Sequence, residues 1–117
     1  MTSKAEKECQ SIAEEIFGLT FEKVRMISNP ETGRMLELDM YNKSSKVAIE
    51  YNGKQHYVFP NIFHKTEKEF ISQIRRDDYK RKWCKYNEIF LITVPYTIRD
   101  IRGYLTEKRD QWMNKTS

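Results

Sequence analysis

Two short runs rich in apolar residues, 36–41 and 47–51, most constrain what this chain can fold into. Apolar and polar residues alternate in the first run, and β-branched residues dominate the second, as is typical of half-buried strands. The intervening residues 42–46 are rich in turn-forming side chains and are few enough for a hairpin connection. The pattern therefore predicts two neighbouring antiparallel strands.

Two acids, Asp39 in the first predicted strand and Glu50 in the second, each lie inside a short apolar run. If both side chains point to the same face, the hairpin brings them together. Paired carboxylates at the ends of neighbouring strands suit Mg²⁺, which prefers oxygen ligands and phosphate partners. Gln55 and His56 follow closely and could orient a water, as in a metal-dependent phosphodiesterase. The ordinary alternative is a hairpin with two solvated acids.

The rest of the chain predicts a single α/β domain over residues 1–117, with element order αβββαβα. Ser3 and Gly18 have the positions of helix caps around a first helix, residues 3–17. The other predicted elements are a strand at 20–26, a turn at 29–33, an aromatic loop at 57–64, a long helix at 66–86, a strand at 88–94 and a final helix from a Thr97 cap to about 114.

Composition narrows the setting of this domain. No apolar run approaches the roughly 18 residues of a membrane span, and the polar N-terminus lacks a signal-peptide core. Cys9 and Cys84 have no metal-ligand spacing, so we expect reduced thiols in an intracellular protein, cytoplasmic or nuclear. Residues 59–117 hold 13 Lys or Arg and 8 Asp or Glu, whereas residues 1–58 hold 8 and 9. The basic half suggests a polyanionic partner.

Two helical patterns add candidates for a site. Glu6 falls on the apolar side of the first helix, where a carboxylate needs a partner or a metal; alternatively, it only completes a capping box with Ser3. In the long helix, one stripe holds the residues Gln73, Asp77, Lys80 and Cys84, beside the apolar residues Phe70, Ile71 and Ile74. Such a stripe is either the edge of a site or a solvated face.

The long helix also carries a basic cluster interleaved with aromatic residues. Phosphate contacts with aromatic stacking would suit a nucleic acid, or the aromatics could simply pack on a neighbouring element. The candidate nucleic-acid-binding residues are Lys54, Arg75, Arg76, Lys80, Arg81, Lys82 and Trp83.

Taken together, these segments cover nearly the full length of the chain, and in their order along it they resemble nucleases of the PD-(D/E)XK, restriction-endonuclease-like superfamily. The chain most resembles the branch of very short patch repair and Glu-Asp-x-His-Asp homing endonucleases, a pattern shared by many proteins of phages and large DNA viruses. The matching segments are residues 3–6, 38–39, 49–57, 76–80 with Cys84, and 89–96.

The resemblance implies a mixed central sheet flanked by helices, with Mg²⁺ or Mn²⁺ as cofactor and DNA as partner. By position, Asp39 and Glu50 would be metal ligands, and Glu6 would support the metal. Gln55, His56 and Asp77 would complete the catalytic set. Double-strand cutting by so small a domain would favour a homodimer.

One position departs from the superfamily pattern. The superfamily lysine belongs two residues after the glutamate, where this chain has Asn52. Lys54 or Lys80 could supply the charge, or His56 could act as general base. The expected function is a metal-dependent DNA endonuclease. The alternatives are a non-cleaving nucleic-acid-binding module that retains the fold, or a protein-interaction domain.

Overall fold

The computed structural model describes residues 3–61 and 63–116. Its elements follow the expected order: α1 (Lys4–Phe17), β1 (Glu22–Ser28), β2 (Met35–Asn42), β3 (Val47–Asn52), α2 (Glu67–Tyr86), β4 (Phe90–Pro95) and α3 (Ile101–Thr116). A single 3₁₀ turn, Lys54–His56, follows β3. The prediction of one α/β domain with a mixed sheet flanked by helices is confirmed.

The sheet has four strands in spatial order β1-β2-β3-β4. The first three strands are antiparallel neighbours, so the predicted hairpin is present, with Met40 opposite Ile49. β4 pairs parallel to β3 and aligns Glu50 with Thr93. Because parallel neighbours need a long crossover connection, α2 is the element that links β3 to β4.

Two apolar clusters hold the helices on the sheet. One joins Cys9 and Ala13 of α1 and Leu105 of α3 to Val47 and other buried strand residues. The second cluster includes Cys84 of α2, with Tyr79 and Trp83 packed against it, and strand residues such as Ala48. Alternate residues of β3 thus enter different clusters, as the strand period of two requires. No described helix has the length and apolar character needed to cross a membrane.

Two predicted boundaries were wrong at the C-terminal end. The last strand begins at Phe90 rather than Glu88, because Glu88 has a left-handed backbone (φ 58°) and follows the end of α2. The last helix begins at Ile101, and Thr97 does not cap it. Asp100 does so instead, since its Oδ1 accepts from Gly103 N at 2.9 Å.

The outward face of α2 also differs from the expected pattern. Ile71 and Ile74 are 40% and 47% exposed, whereas Cys84 is buried and Lys80 is largely covered. The polar stripe of this helix therefore faces the sheet, and part of the apolar stripe faces solvent. The acid Asp77 and the base Lys80 of α2 therefore face inward, and Lys80 contacts the carboxylate of Glu50 in the hairpin.

Candidate active site

The hairpin brings Asp39 and Glu50 together, as the sequence pattern predicts. The Asp39 backbone N–H donates to Glu50 Oε2 at 2.9 Å, one step beyond the Met40–Ile49 pair. The Glu50 carboxylate therefore occupies the place where the strand ladder would continue. Glu50 is only 5% exposed. These acids are not the solvated side chains of an ordinary hairpin.

Lys80 is the cationic partner of this pair. Its Nζ donates to Glu50 Oε1 at 2.8 Å, and the two side chains are 16% and 7% exposed. Burial lowers the pKa of Lys80, but the carboxylates of Glu50, Asp39 and Asp77 outweigh that effect and leave the pKa above its ordinary value. Lys80 is therefore charged, and it reaches the Glu50 carboxylate of β3 from α2.

One ammonium group does not neutralise all the acids gathered here. Burial, followed by the carboxylates of Glu50 and Glu6, raises the pKa of Asp39 to about 8 against the opposing effect of Lys80. Asp39 is thus largely protonated at neutral pH in the protein alone. A buried carboxyl pair short of positive charge is a place where a cation would be stabilised.

Glu6 lies close enough to act on this pair. Its backbone N–H donates to the Ser3 hydroxyl at 3.0 Å, so Ser3 caps α1 as predicted. Within the described part of the chain, no return bond runs from the Glu6 carboxylate to Ser3, so the capping box is only half formed. The Glu6 carboxylate acts instead on its surroundings. Burial of the Cys9 thiol, and next the negative charge of Glu6, raise the pKa of Cys9 to about 12.

A second polar group lies beside the first. His56 Nδ1 is 2.8 Å from Asp77 Oδ2, and Gln73 Nε2 donates to Asp77 Oδ1 at 3.0 Å. Arg76 in turn donates to Gln73 Oε1 at 2.8 Å. When Nδ1–H donates a hydrogen bond to the Asp77 carboxylate, the neutral ring keeps Nε2 as an acceptor. This tautomer is the one that a general base uses.

Gln55 and Lys54 lie on the same 3₁₀ turn but point elsewhere. They line a cavity of about 540 Å³ with Pro60, Asn61 and Phe63. Gln55 also packs over Gly53, where a Cβ would meet Gln55 Oε1 at 2.5 Å. Among residues 3–61 and 63–116, no hydrogen bond joins Gln55 to the carboxylates, so the site residues fall into two groups and Gln55 belongs to neither.

The basic residues of α2 do not all share one surface. Arg75 is exposed, Arg81 and Lys82 both pair with Asp78, and Arg76 holds Gln73. Trp83, a candidate nucleic-acid-binding residue, packs against the second apolar cluster, and so does Tyr79. These two aromatic residues therefore follow the alternative prediction, in which they pack on a neighbouring element. Tyr86, at the end of α2, is 88% exposed, and near the 3₁₀ turn the exposed rings of Tyr57 and Tyr96 lie tilted by 36° with centroids 5.8 Å apart.

The acids present suit a hard cation more than a soft one. In the ranges that the structure describes, no three His, Cys, Asp or Glu side chains form a group that could hold a metal ion by themselves. Asp39 and Glu50 offer two carboxylates, with Glu6 nearby, and water or substrate phosphate would have to supply further oxygens. Mg²⁺ is commonly bound in this way, through one or two carboxylates and phosphate.

Sequence reasoning anticipated two parts of this site only in part. Lys80 was predicted both as a nucleic-acid contact and as a lysine that could supply the charge absent at Asn52, and it holds Glu50. Gln73 fixes Asp77, although only its position on the stripe pointed to it. The signal was the spacing of Gln73, Asp77 and Lys80 at i, i+4 and i+7, which puts them on one face.

The fold and this arrangement define a compact α/β domain with a buried carboxylate–lysine centre and an adjoining His–Asp pair. The chain belongs to the viral protein family that includes uncharacterized protein 094L of Frog virus 3 (isolate Goorha). It is 52% identical to that protein over 106 residues, covering 88% of this chain and 68% of the relative.

Two further viral proteins are similar to the chain over most of its length. Uncharacterized protein 033L of Invertebrate iridescent virus 3 is 42% identical over 107 residues, covering 88% of this chain and 55% of the relative. Uncharacterized protein 307L of Invertebrate iridescent virus 6 is 37% identical over 123 residues, with 91% and 62% coverage. The chain thus spans less than two thirds of these two relatives. No protein-family model and no solved structure matches it.

Proposed function

We propose that this protein is a metal-dependent endonuclease that hydrolyses phosphodiester bonds in DNA, built on a restriction-endonuclease-like fold. The observation that carries the proposal is the Asp39–Glu50 pair on neighbouring strands, with Glu50 buried, Asp39 half-buried and Lys80 Nζ 2.8 Å from Glu50 Oε1. Burying two carboxylates and an ammonium group is unfavourable for a purely structural core. The arrangement is therefore better explained by chemistry that uses it.

Asp39 and Glu50 would hold Mg²⁺ or Mn²⁺, with Glu6 supporting the site. When bound, the metal would supply positive charge for the phosphate oxygens as the ester bond breaks. Asp39 must lose its proton to become a ligand, and burial and its acidic neighbours raise its pKa to about 8. Metal affinity should therefore rise with pH up to and through that range.

Lys80 would take the role of the lysine that the superfamily pattern places at Asn52. Its ammonium group keeps one oxygen of Glu50 fixed, and the Asp39 N–H holds the other. A carboxylate fixed at both oxygens presents its remaining lone pairs in one direction. Lys80 would also provide a cation near a phosphate bound at this centre.

His56 would accept the proton of the attacking water. Asp77 holds its Nδ1, and Gln73 holds Asp77, so the ring orientation is set by two successive hydrogen bonds. Basic side chains such as Arg75 would contact the DNA backbone outside the centre. A homodimer would place two such centres on opposite strands.

A second function has a specific observation in its favour. Lys80 already neutralises Glu50, and the described ranges contain no complete three-residue metal group. A non-cleaving nucleic-acid-binding module that retains the fold would look the same. This alternative predicts binding to DNA that depends on salt and leaves the strand intact.

Plasmid nicking separates the two functions. The wild-type protein should relax supercoiled plasmid with Mg²⁺ or Mn²⁺ and not with EDTA. Asp39→Ala should reduce cleavage by at least roughly 10²-fold, about 2.7 kcal/mol of barrier. Lys65→Ala, an exposed residue away from the centre, is the matched control. Cleavage that survives in Asp39→Ala would reject the assigned centre.

The same assay should include branched, mismatched, linear and single-stranded substrates, because the centre itself does not select among them. Binding to all of them without cleavage of any, at several metal concentrations, would establish the non-cleaving alternative.

A further inference from the structure

A groove of about 930 Å³ lies at the other end of the sheet from the carboxylates. It is formed where the turn before β3, the end of α2, the start of β4 and the end of α3 meet. Lys46 precedes β3, and Glu50 lies four residues further along, so the Lys46 end of the groove is roughly 13 Å from Glu50 at 3.3 Å per strand residue. It is separate from the proposed active site.

The rim of the groove is strongly basic. It includes the five cationic side chains of Lys46, Arg81, Lys82, Lys85 and Lys115. Against them stand two carboxylates, those of Asp78 and Glu88, which leaves a net charge of +3. The ends of α2 and α3 add about half a negative charge each, so the groove remains positive.

Most of this charge is available to a ligand. Asp78 pairs with Arg81 at 3.0 Å and with Lys82 at 2.9 Å, so one carboxylate is shared between two cations. In the portion of the chain that the structure describes, no carboxylate lies within 4.0 Å of the ammonium groups of Lys46, Lys85 or Lys115. Three lysines thus converge on one groove with only partial neutralisation.

The floor of the groove is apolar. Ile89, Phe90, Leu91 and Trp112 line it, and Lys115 Nζ lies 5.9 Å from the centroid of the Phe90 ring. Anionic groups suit the rim, and flat, weakly polar groups suit the floor. A chain of phosphates carrying unpaired bases has both, whereas in a duplex the faces of the bases are hidden by stacking.

The backbone at the groove is held in an unfavourable conformation. Lys46 and Glu88 have left-handed backbones, with φ of 54° and 58°, and both side chains line the groove. This conformation is unfavourable for a residue other than glycine. Phe90 N donates to the Lys46 carbonyl at 2.9 Å and fixes this corner. Lys46 thus holds a left-handed backbone conformation that glycine adopts more readily.

We propose that this groove binds a segment of single-stranded nucleic acid, with phosphates on the lysine rim and bases against the floor. The inference rests on the proposed function only for the choice of nucleic acid as the polyanion. It gives the protein a second contact with a strand that is cleaved, or held, elsewhere on the molecule.

Binding in EDTA tests the groove without any requirement for cleavage. The affinity of a fluorescent single-stranded 12-nucleotide probe should be measured by anisotropy over a range of salt concentrations. Lys85→Glu/Lys115→Glu should weaken binding by at least tenfold and reduce the salt slope by about 1.4, since each lost contact to single strands removes about 0.7. Arg34→Glu/Lys65→Glu changes the net charge equally at exposed sites outside the groove and should change the slope by less than half as much.

Equal effects of the two double variants would overturn the groove assignment, because only the net charge would then matter. Lys85→Gln/Lys115→Gln repeats the test without charge reversal, and thermal melting verifies folding. In Trp83→Phe protein, the probe should also quench the fluorescence of Trp112. Unchanged emission at saturating probe would overturn the assignment of bases to the floor.

These outcomes are distinguishable from failure of the proposed function. A wild-type protein that binds through the groove but cleaves nothing would leave this inference standing and reject the nuclease. If Asp39→Ala abolishes cleavage and the groove variants leave binding unchanged, the proposed nuclease stands and the groove assignment is rejected.

Discussion

Replacing Lys80 with methionine removes the ammonium group and keeps the length of the side chain. Glu50 then stays buried with one oxygen on the Asp39 N–H and no counter-charge. At the observed 2.8 Å, and with an effective dielectric constant of about 20, the attraction between the charges is about 6 kcal/mol before desolvation is subtracted. Because the orphaned carboxylate remains buried, we expect Lys80→Met to lower the free energy of unfolding by about 3–5 kcal/mol.

Lys82 provides the matched control on the same helix. Its Nζ is 2.9 Å from Asp78 Oδ2, but the two side chains are 76% and 44% exposed. Lys82→Met should therefore leave the free energy of unfolding nearly unchanged. Two ion pairs of nearly equal length thus predict very different effects, because the Lys80–Glu50 pair is buried, whereas the Lys82–Asp78 pair is exposed and Asp78 keeps Arg81 as a partner.

Urea denaturation at pH 7 measures both effects. The double variant Glu50→Gln/Lys80→Met should recover much of the loss, because it leaves no buried charge at that position. A loss below about 1 kcal/mol in Lys80→Met, or no recovery in the double variant, would refute the argument that this pair is a buried, mutually dependent charge pair.

Three other predictions follow from the same geometry. Burial, with Glu50 and Glu6, raises the pKa of Asp39 to about 8 from about 3.9 in the unfolded chain. The stability that Asp39 contributes is therefore complete below about pH 4 and is lost as pH rises through about 8, at no more than about 1.4 kcal/mol per pH unit. Urea titrations in EDTA at several pH values should show this slope, and Asp39→Asn should flatten it. His56→Ala should lower cleavage by roughly 10²–10⁴-fold while DNA affinity is kept, and an unchanged rate in a plasmid assay would exclude His56 as the base. Arg75→Glu should reduce the salt slope of duplex binding by about 0.9, and an unaltered slope in anisotropy titrations would show that this exposed arginine contacts no phosphate.

The sequence was sufficient where local pattern and function agree. Alternation in residues 36–41, with a short turn after it, predicted the hairpin and the meeting of Asp39 and Glu50. Ser3 and Gly18 predicted the ends of α1, because cap chemistry is local. These features need no knowledge of distant elements.

Other features depended on contacts that no local pattern encodes. α2 has an apolar stripe and a polar stripe side by side, and periodicity alone favoured neither as the buried one. The structure buries Lys80 and exposes Ile74, because the ammonium group meets Glu50 of β3, thirty positions earlier in the chain. The start of α3 was missed since both Thr97 and Asp100 can cap a helix, and the turn after β4 decides between them.

The crossover helix α2 has a consequence for how this family can change in length. It connects the parallel strands β3 and β4, and it also carries Gln73, Asp77 and Lys80 on one face. One residue inserted within that stretch would rotate one side of it by about 100° relative to the other and separate Lys80 from Asp77. The match to protein 307L runs over 123 positions, more than the 117 residues of this chain, so that relative carries additional residues. We expect them in the loops at 29–34 or 57–65, where the register of α2 is not affected.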